Sequence, residues 1–203
     1  MQHINWKDQR IAPSKIVCVG RNYHEHIAEL NNDVPENMVL FIKPNSAIAQ
    51  QLIATQGEPI HYEAELCFLL RDGKFAAVAA GLDLTKRETQ SKLKAKGLPW
   101  ERAKAFDNSA VFSDFVDLPG DSSALRIQLD ADGEPLQDGH CAHMIYSPQE
   151  ILREIQQFCS LEDGDIVMTG TPKGVGTLCE GKRYSARVLD GEQTLIEHHW
   201  QAV

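Results

Sequence analysis

Between Ile60 and Leu70 the chain alternates: Tyr62, Ala64, Leu66, Phe68 and Leu70 fall on one side of an extended strand, and His61, Glu63, Glu65 and Cys67 on the other. The apolar side belongs to a core. The other side then carries two carboxylates one pleat apart, which repel strongly if they are buried and ionised. The fold must either leave that side in water as an acidic strand edge or bring a cation to it. With an all-carboxylate donor set, the cation would be a hard one such as magnesium, manganese or calcium. Asp83, directly after the apolar run Ala76 to Leu82, is the best placed third ligand.

Around this strand the punctuation is that of a β-rich chain. Lys15 to Val19 is a β-branched strand stopped by Gly20, and Met38 to Ile42 is another, ended by Lys43-Pro44. Leu125 to Leu129, the turn Asp132-Gly133 and the stretch after Pro135 predict a hairpin, and Arg183 to Trp200 alternates well enough to add strands. Helices are few. Asn22 to Leu30 has helical spacing; Thr85 to Glu88 forms a capping box for a helix reaching Lys96; Ser147 to Glu150 forms a second, before an apolar stripe of Ile151, Leu152, Ile155 and Phe158 in a helix ending near Ser160. A loop with Trp100, Lys104 and Phe106 follows Gly97-Leu98-Pro99, and Asn31 to Pro35 is a turn with the character of a lid. Helices that do not alternate regularly with strands predict a mixed α/β, mainly β architecture in one domain spanning 1–203, rather than a doubly wound sheet.

Helical spacing sets His26 and Glu29 on one face, where the carboxylate can orient the imidazole for proton transfer with water; a surface histidine is the plain alternative, and the better reading of His24. Two glycine-rich places lead elsewhere. Gly20-Arg21-Asn22-Tyr23-His24 lacks the later glycines of a dinucleotide site, and Gly170 to Gly176 lacks Gly-Lys-Ser/Thr, although that loop can offer Thr171 and backbone amides to a small carboxylate. A net charge of -9 disfavours nucleic acid and anionic membranes as partners, and no apolar run approaches a membrane span. Five scattered cysteines without a CxxC pair predict reduced thiols and a cytoplasmic setting, Cys18 and Cys67 among them as core residues.

Taken together, Gly20-Arg21-Asn22-Tyr23, Tyr62-Glu63-Ala64-Glu65-Leu66, Asp83-Leu84-Thr85-Lys86-Arg87, Lys104-Ala105-Phe106-Asp107 and Gly164 to Gly176 resemble the fumarylacetoacetate hydrolase family in order and spacing, from about Lys15 to Gly181. The likeness is to its small single-domain branch of acylpyruvate hydrolases and oxaloacetate decarboxylases. The resemblance implies strands rolled around a central site, and usually a homodimer. It implies that Glu63, Glu65 and Asp83 hold Mg2+ or Mn2+ and that His26 and Glu29 activate water. Lys104 would then stand near a developing oxyanion, and Arg21, Gln90 and Thr171 would contact substrate. Two departures, Glu88 in place of the family's common aspartate and Asp107-Asn108-Ser109-Ala110 without a proline, bear on the substrate rather than the ligands. The implied reaction is metal-dependent hydrolysis of a carbon-carbon bond in a small β-diketo acid. Oxaloacetate decarboxylation and enol-keto isomerisation are the alternatives, and a non-catalytic metal-binding relative is a third.

Overall fold

The computed structural model describes residues 1–29 and 36–203, so the lid expected at Asn31 to Pro35 lies outside the described residues. The chain begins with a small hairpin, β1 (Ile4–Trp6) and β2 (Gln9–Ile11), then enters β3 (Lys15–Gly20) and the short helix α1 (His24–Glu29). Next come β4 (Val39–Pro44), β5 (Ile48–Ala49), β6 (Ile60–Tyr62), β7 (Ala64–Arg71), β8 (Lys74–Asp83) and β9 (Thr85–Lys86), followed by helices α2 (Arg87–Ala95) and α3 (Glu101–Lys104). The second half comprises β10 (Ala110–Phe112), β11 (Val116–Asp117), β12 (Leu125–Ala131), β13 (Glu134–His140), α4 (Pro148–Ile155), β14 (Ile166–Met168), β15 (Gly176–Thr177), β16 (Arg183–Asp190) and β17 (Gln193–Gln201).

The main sheet runs β4-β3-β14-β7-β8-β10-β5, with β11 also on β8; a second sheet runs β13-β12-β16-β17, and a small one β15-β6-β9. The architecture is thus mainly β, with curled sheets and few helices. Leu66, Phe68, Val78, Ala80 and Leu82 of the main sheet share one core with Ile127, Leu129, Tyr184, Ala186 and Val188 of the second. The alternation in β7 is as expected, but the opposite face is buried too. Cys67 and Leu69 join Ile16, Cys18 and Ala79 in a second core, and α4 closes a third over Val17, Val19 and Val167 with Ile151 and Ile155. The register between β7 and β8 shifts between Leu69 and Leu70, leaving Ala76 of β8 as the extra residue.

Four expectations need correction. Met38 to Ile42 does not stop at Lys43-Pro44: β4 continues through Pro44 at the sheet edge, where a proline costs no ladder bond. Thr85 caps nothing, because it lies in β9 paired with His61; α2 starts at Arg87 with no side-chain cap from its N-cap residue Lys86. Residues 101–104 are the helix α3 rather than loop. The Ser147 capping box forms, but α4 ends at Ile155 and leaves Phe158 59% exposed, outside the stripe.

Asp165 ties the start of β14 to the start of β3. Its carboxylate accepts from the amides of Ser14 (2.8 Å), Lys15 (3.1 Å) and Glu162 (2.9 Å) and lies 2.6 Å from Lys15 Nζ. Burial pushes its pKa up, but Lys15 and the surrounding donors outweigh burial and hold it below the ordinary value. A depressed folded pKa contributes stability above the unfolded value, about 3.9, that is lost as pH falls through the folded one. Asp165→Asn is therefore expected to cost about 2 kcal/mol at neutral pH, with the gap to the parent closing toward pH ~3; urea midpoints at several pH values would show it, and a gap independent of pH would contradict it.

Candidate active site

The run from Ile60 to Leu70 changes sheets at Glu63. Before it, β6 pairs with β9 and β15; after it, β7 pairs with β8 and β14. The amide of Asp83 donates to the Glu63 carbonyl (2.8 Å), so the end of β8 is fixed beside the switch. Glu63, Glu65 and Asp83 meet there: all three are buried, and one carboxylate oxygen from each lies within 4.8 Å of the others.

Cations surround two of these acids. Lys104 Nζ, itself buried, donates to Glu63 Oε2 (2.8 Å), Asp83 Oδ2 (2.7 Å) and Thr85 Oγ1 (2.7 Å). Arg87 pairs with Glu63 Oε1 and donates to Gln90 Oε1 (2.8 Å). Lys43, fully buried, stands 2.8 Å from Asp83 Oδ1, at an angle that makes no hydrogen bond, and donates to the Lys104 carbonyl. Burial raises the Glu63 pKa, but Lys104, then Arg87 and His26, pull it well below the carboxylate range. Burial lowers that of Lys104, and Asp83 and Glu63 bring it above the ordinary lysine value.

Glu65 has less support. Its Oε2 accepts the Gly170 amide (2.6 Å), while burial, then Asp83 and Glu63, push its pKa well above the ordinary value. A divalent cation fits this arrangement: it would offset the repulsion that the lysines leave at Glu65, and the oxygen-only donor set suits a hard ion.

His26 is buried in α1 with Nδ1 3.3 Å from Glu29 Oε2, and Glu29 Oε1 accepts the Gly174 amide (3.0 Å). The glycine loop thus spends its Gly170 and Gly174 amides on the chain's own carboxylates, Glu65 and Glu29, which corrects the expectation that they wait for a ligand. Both glycines have positive φ, and an added Cβ would come within 2.7 Å of Asn22 Cβ at Gly170 and 2.0 Å of the Leu136 carbonyl at Gly174. Thr171 is engaged as well, donating to the Ala64 carbonyl (2.9 Å) and accepting from Gln137 Nε2 (2.8 Å).

One cleft gathers the sequence-derived residues. His26, Lys104, Glu63, Glu65 and Asp83 line it, with Arg21, Gln90 and Thr171. Glu29 stands behind His26. Arg21 occupies the left-handed region at φ 60, an unusual conformation for a side chain of its size, and lines the cleft with Lys94.

Sequence reasoning did not single out Lys43, Asn22, Arg87 or Gln137. Asn22 is fully buried and donates to the Tyr146 and Thr169 carbonyls; Gln137 accepts from the Ala64 amide and donates to Thr171 and Pro172. Their partners lie far off in sequence. The available signal for Arg87 was its place in the Asp83 to Arg87 block.

Comparison with known proteins accords with this site. The pattern described as fumarylacetoacetate (FAA) hydrolase C-terminal matches residues 15–199. The chain belongs to the fumarylacetoacetate hydrolase family. It is 40% identical to the oxaloacetate tautomerase YcgM of Escherichia coli, over 89% of this chain and 91% of that one. It is 37% identical to the human mitochondrial oxaloacetate tautomerase FAHD1, over 85% and 86% respectively. Among solved structures, the fumarylpyruvate hydrolase of Pseudomonas aeruginosa in complex with Mn2+ and pyruvate superposes with a TM-score of 0.90 at 30% identity, covering 100% of this chain and 95% of that one. The family is one of enzymes. No helix among the described residues is long and apolar enough to cross a membrane.

Proposed function

We propose that this protein is a divalent-metal-dependent tautomerase that interconverts the enol and keto forms of oxaloacetate or a closely similar 2-oxo diacid. The observation that carries the reading is the His26–Glu29 pair lining the same cleft as the Glu63, Glu65 and Asp83 triad. Two relatives matched over most of their length bear the name oxaloacetate tautomerase. This places the isomerase ahead of the carbon-carbon hydrolase that the resemblance first suggested.

Glu63, Glu65 and Asp83 would hold Mg2+, or Mn2+ as in the Pseudomonas relative. When bound, the ion supplies Lewis-acid polarisation of the 2-oxo oxygen. Arg21, Gln90 and Arg87 offer donors for the two carboxylates, and Thr171 lines the same cleft. His26, with Nδ1 turned to Glu29, presents Nε2 to the substrate and moves the proton at C3: it delivers one as enol becomes keto, while the enol hydroxyl gives its proton to solvent, and both transfers reverse in the other direction. Lys104, with its three donors on Glu63, Asp83 and Thr85, favours the ionised form of Glu63 and holds both carboxylates in place.

A second reading has its own support. The Pseudomonas structure is of a hydrolase with pyruvate bound, and the same residues would serve carbon-carbon hydrolysis if His26 activates water instead. A cytoplasmic setting, in keeping with the free thiols, and a homodimer, implied by the resemblance, complete the proposal. The test offers the purified protein with Mg2+ the enol of oxaloacetate and, separately, acetylpyruvate. Chelator-sensitive enol loss without pyruvate is the expected result. Faster pyruvate release from acetylpyruvate would establish the hydrolase, and pyruvate from oxaloacetate the decarboxylase.

A further inference from the structure

Helix α2 carries Arg87 and Gln90 into the cleft, yet its start has no local cap. The missing acceptor comes from a distant turn. Glu58 Oε1 accepts the Thr89 amide at 3.1 Å and its Oε2 accepts the Thr89 hydroxyl. Thr89 carries the third amide of the helix, one of the donors an N-cap side chain would satisfy. Glu58 is itself held by a short turn, with the Gln56 amide donating to its carbonyl and Thr55 bridged to Pro59.

The same segment grips α2 a second time. Two residues after Glu58, Ile60 begins β6, which pairs with β9 at Ile60–Lys86 and His61–Thr85; three residues further on, Glu63 holds Arg87. Pairing of β6 with β9 ends at the residue before the helix, and Glu58 extends that attachment around the first turn. The run that leads into Glu63 and Glu65 therefore also sets where the helix presents Arg87 and Gln90.

We infer that Glu58, outside the cleft, is a positioning residue: it caps α2 across the chain and so fixes Arg87 and Gln90 for substrate carboxylates. The inference rests on the proposed function only in taking those two residues to face the substrate. Losing the cap lets the first helical turn leave its docked position, and apparent affinity falls by the fraction of molecules still docked. Chemistry at His26 is untouched once substrate is seated.

The experiment compares Glu58→Ala, Glu58→Gln and Thr89→Val in the full chain with Mg2+. Readouts are KM and kcat on enol oxaloacetate, pyruvate affinity by calorimetry, and hydrogen exchange of the Thr89 amide. Glu58→Ala is expected to raise KM and weaken pyruvate about fivefold, the size of a typical lost cap, with kcat within about twofold. Glu58→Gln keeps an acceptor for the Thr89 amide and should recover most of the loss; Thr89→Val, which deletes one of the bonds, should fall between. Exchange at Thr89 should speed up in the alanine variant. A lowered melting temperature with KM and pyruvate affinity unchanged would reduce Glu58 to a structural cap and overturn the inference, as would a glutamine variant no better than alanine. Should Glu58→Ala not fold, the other two variants carry the same comparison. If the parent protein turns over no oxaloacetate, the functional proposal fails while pyruvate affinity still decides the role of Glu58; if it also binds no pyruvate, the positioning role falls with it.

Discussion

Replacing Asp83 by alanine is expected to abolish turnover and to destabilise the fold by about 3–5 kcal/mol, the usual consequence of deleting one partner of a buried ion pair. The cost arises from what remains. Lys43, 0% exposed, and Lys104, 3% exposed, both rely on Asp83. Lys104 would keep Glu63, whereas Lys43 would keep only main-chain carbonyls. Adding Lys43→Met to Asp83→Ala should therefore restore part of the stability and none of the activity. Denaturant midpoints of the single and double variants check the first claim. A double variant less stable than Asp83→Ala alone would show that Lys43 is satisfied without the carboxylate.

His26→Ala should lower kcat by about 10²–10⁴-fold, the range expected when a positioned acid-base group is removed, with little change in Mn2+ binding. The imidazole is attached to the rest of the site through Glu29 and the Gly174 amide and touches no proposed metal ligand through a hydrogen bond. Electron paramagnetic resonance of Mn2+ alongside turnover separates the two effects. A kcat within tenfold of the parent would move proton transfer to another group. Glu29→Gln should fall between, since an amide can accept from Gly174 but cannot stabilise an imidazolium as a carboxylate does.

Much of this site was legible because its acids follow the patterning of the strands around them. Glu63 and Glu65 stand out against the apolar alternation of Tyr62 to Phe68, and Asp83 marks the end of an apolar run; strands that bury one set of residues leave the other set conspicuous. The residues that went unread act across the sheets. Lys43 followed by Pro44 has the local form of a strand end, and nothing near it in sequence announces that its ammonium runs inward to Asp83. The Thr85 box failed for the same reason: Thr-x-x-Glu is a local signature, and β6 competed successfully for Thr85 by pairing it with His61. Phe158 had the right spacing to extend the stripe of α4, but spacing does not say where a helix stops.

The place of β14 in the main sheet bears on how this chain reaches its folded state. Residues 166–168 lie between β3, formed from residues 15–20, and β7, formed from residues 64–71, parallel to one and antiparallel to the other. Until that late segment arrives, the early strands have a slot between them and two unpaired edges facing each other. A nascent chain still short of residue 168 cannot close its largest sheet, and its exposed edges invite pairing with other chains. Closure waits on contacts of long sequence separation, which makes folding slow and leaves the protein dependent, while it is being made, on whatever shields those edges.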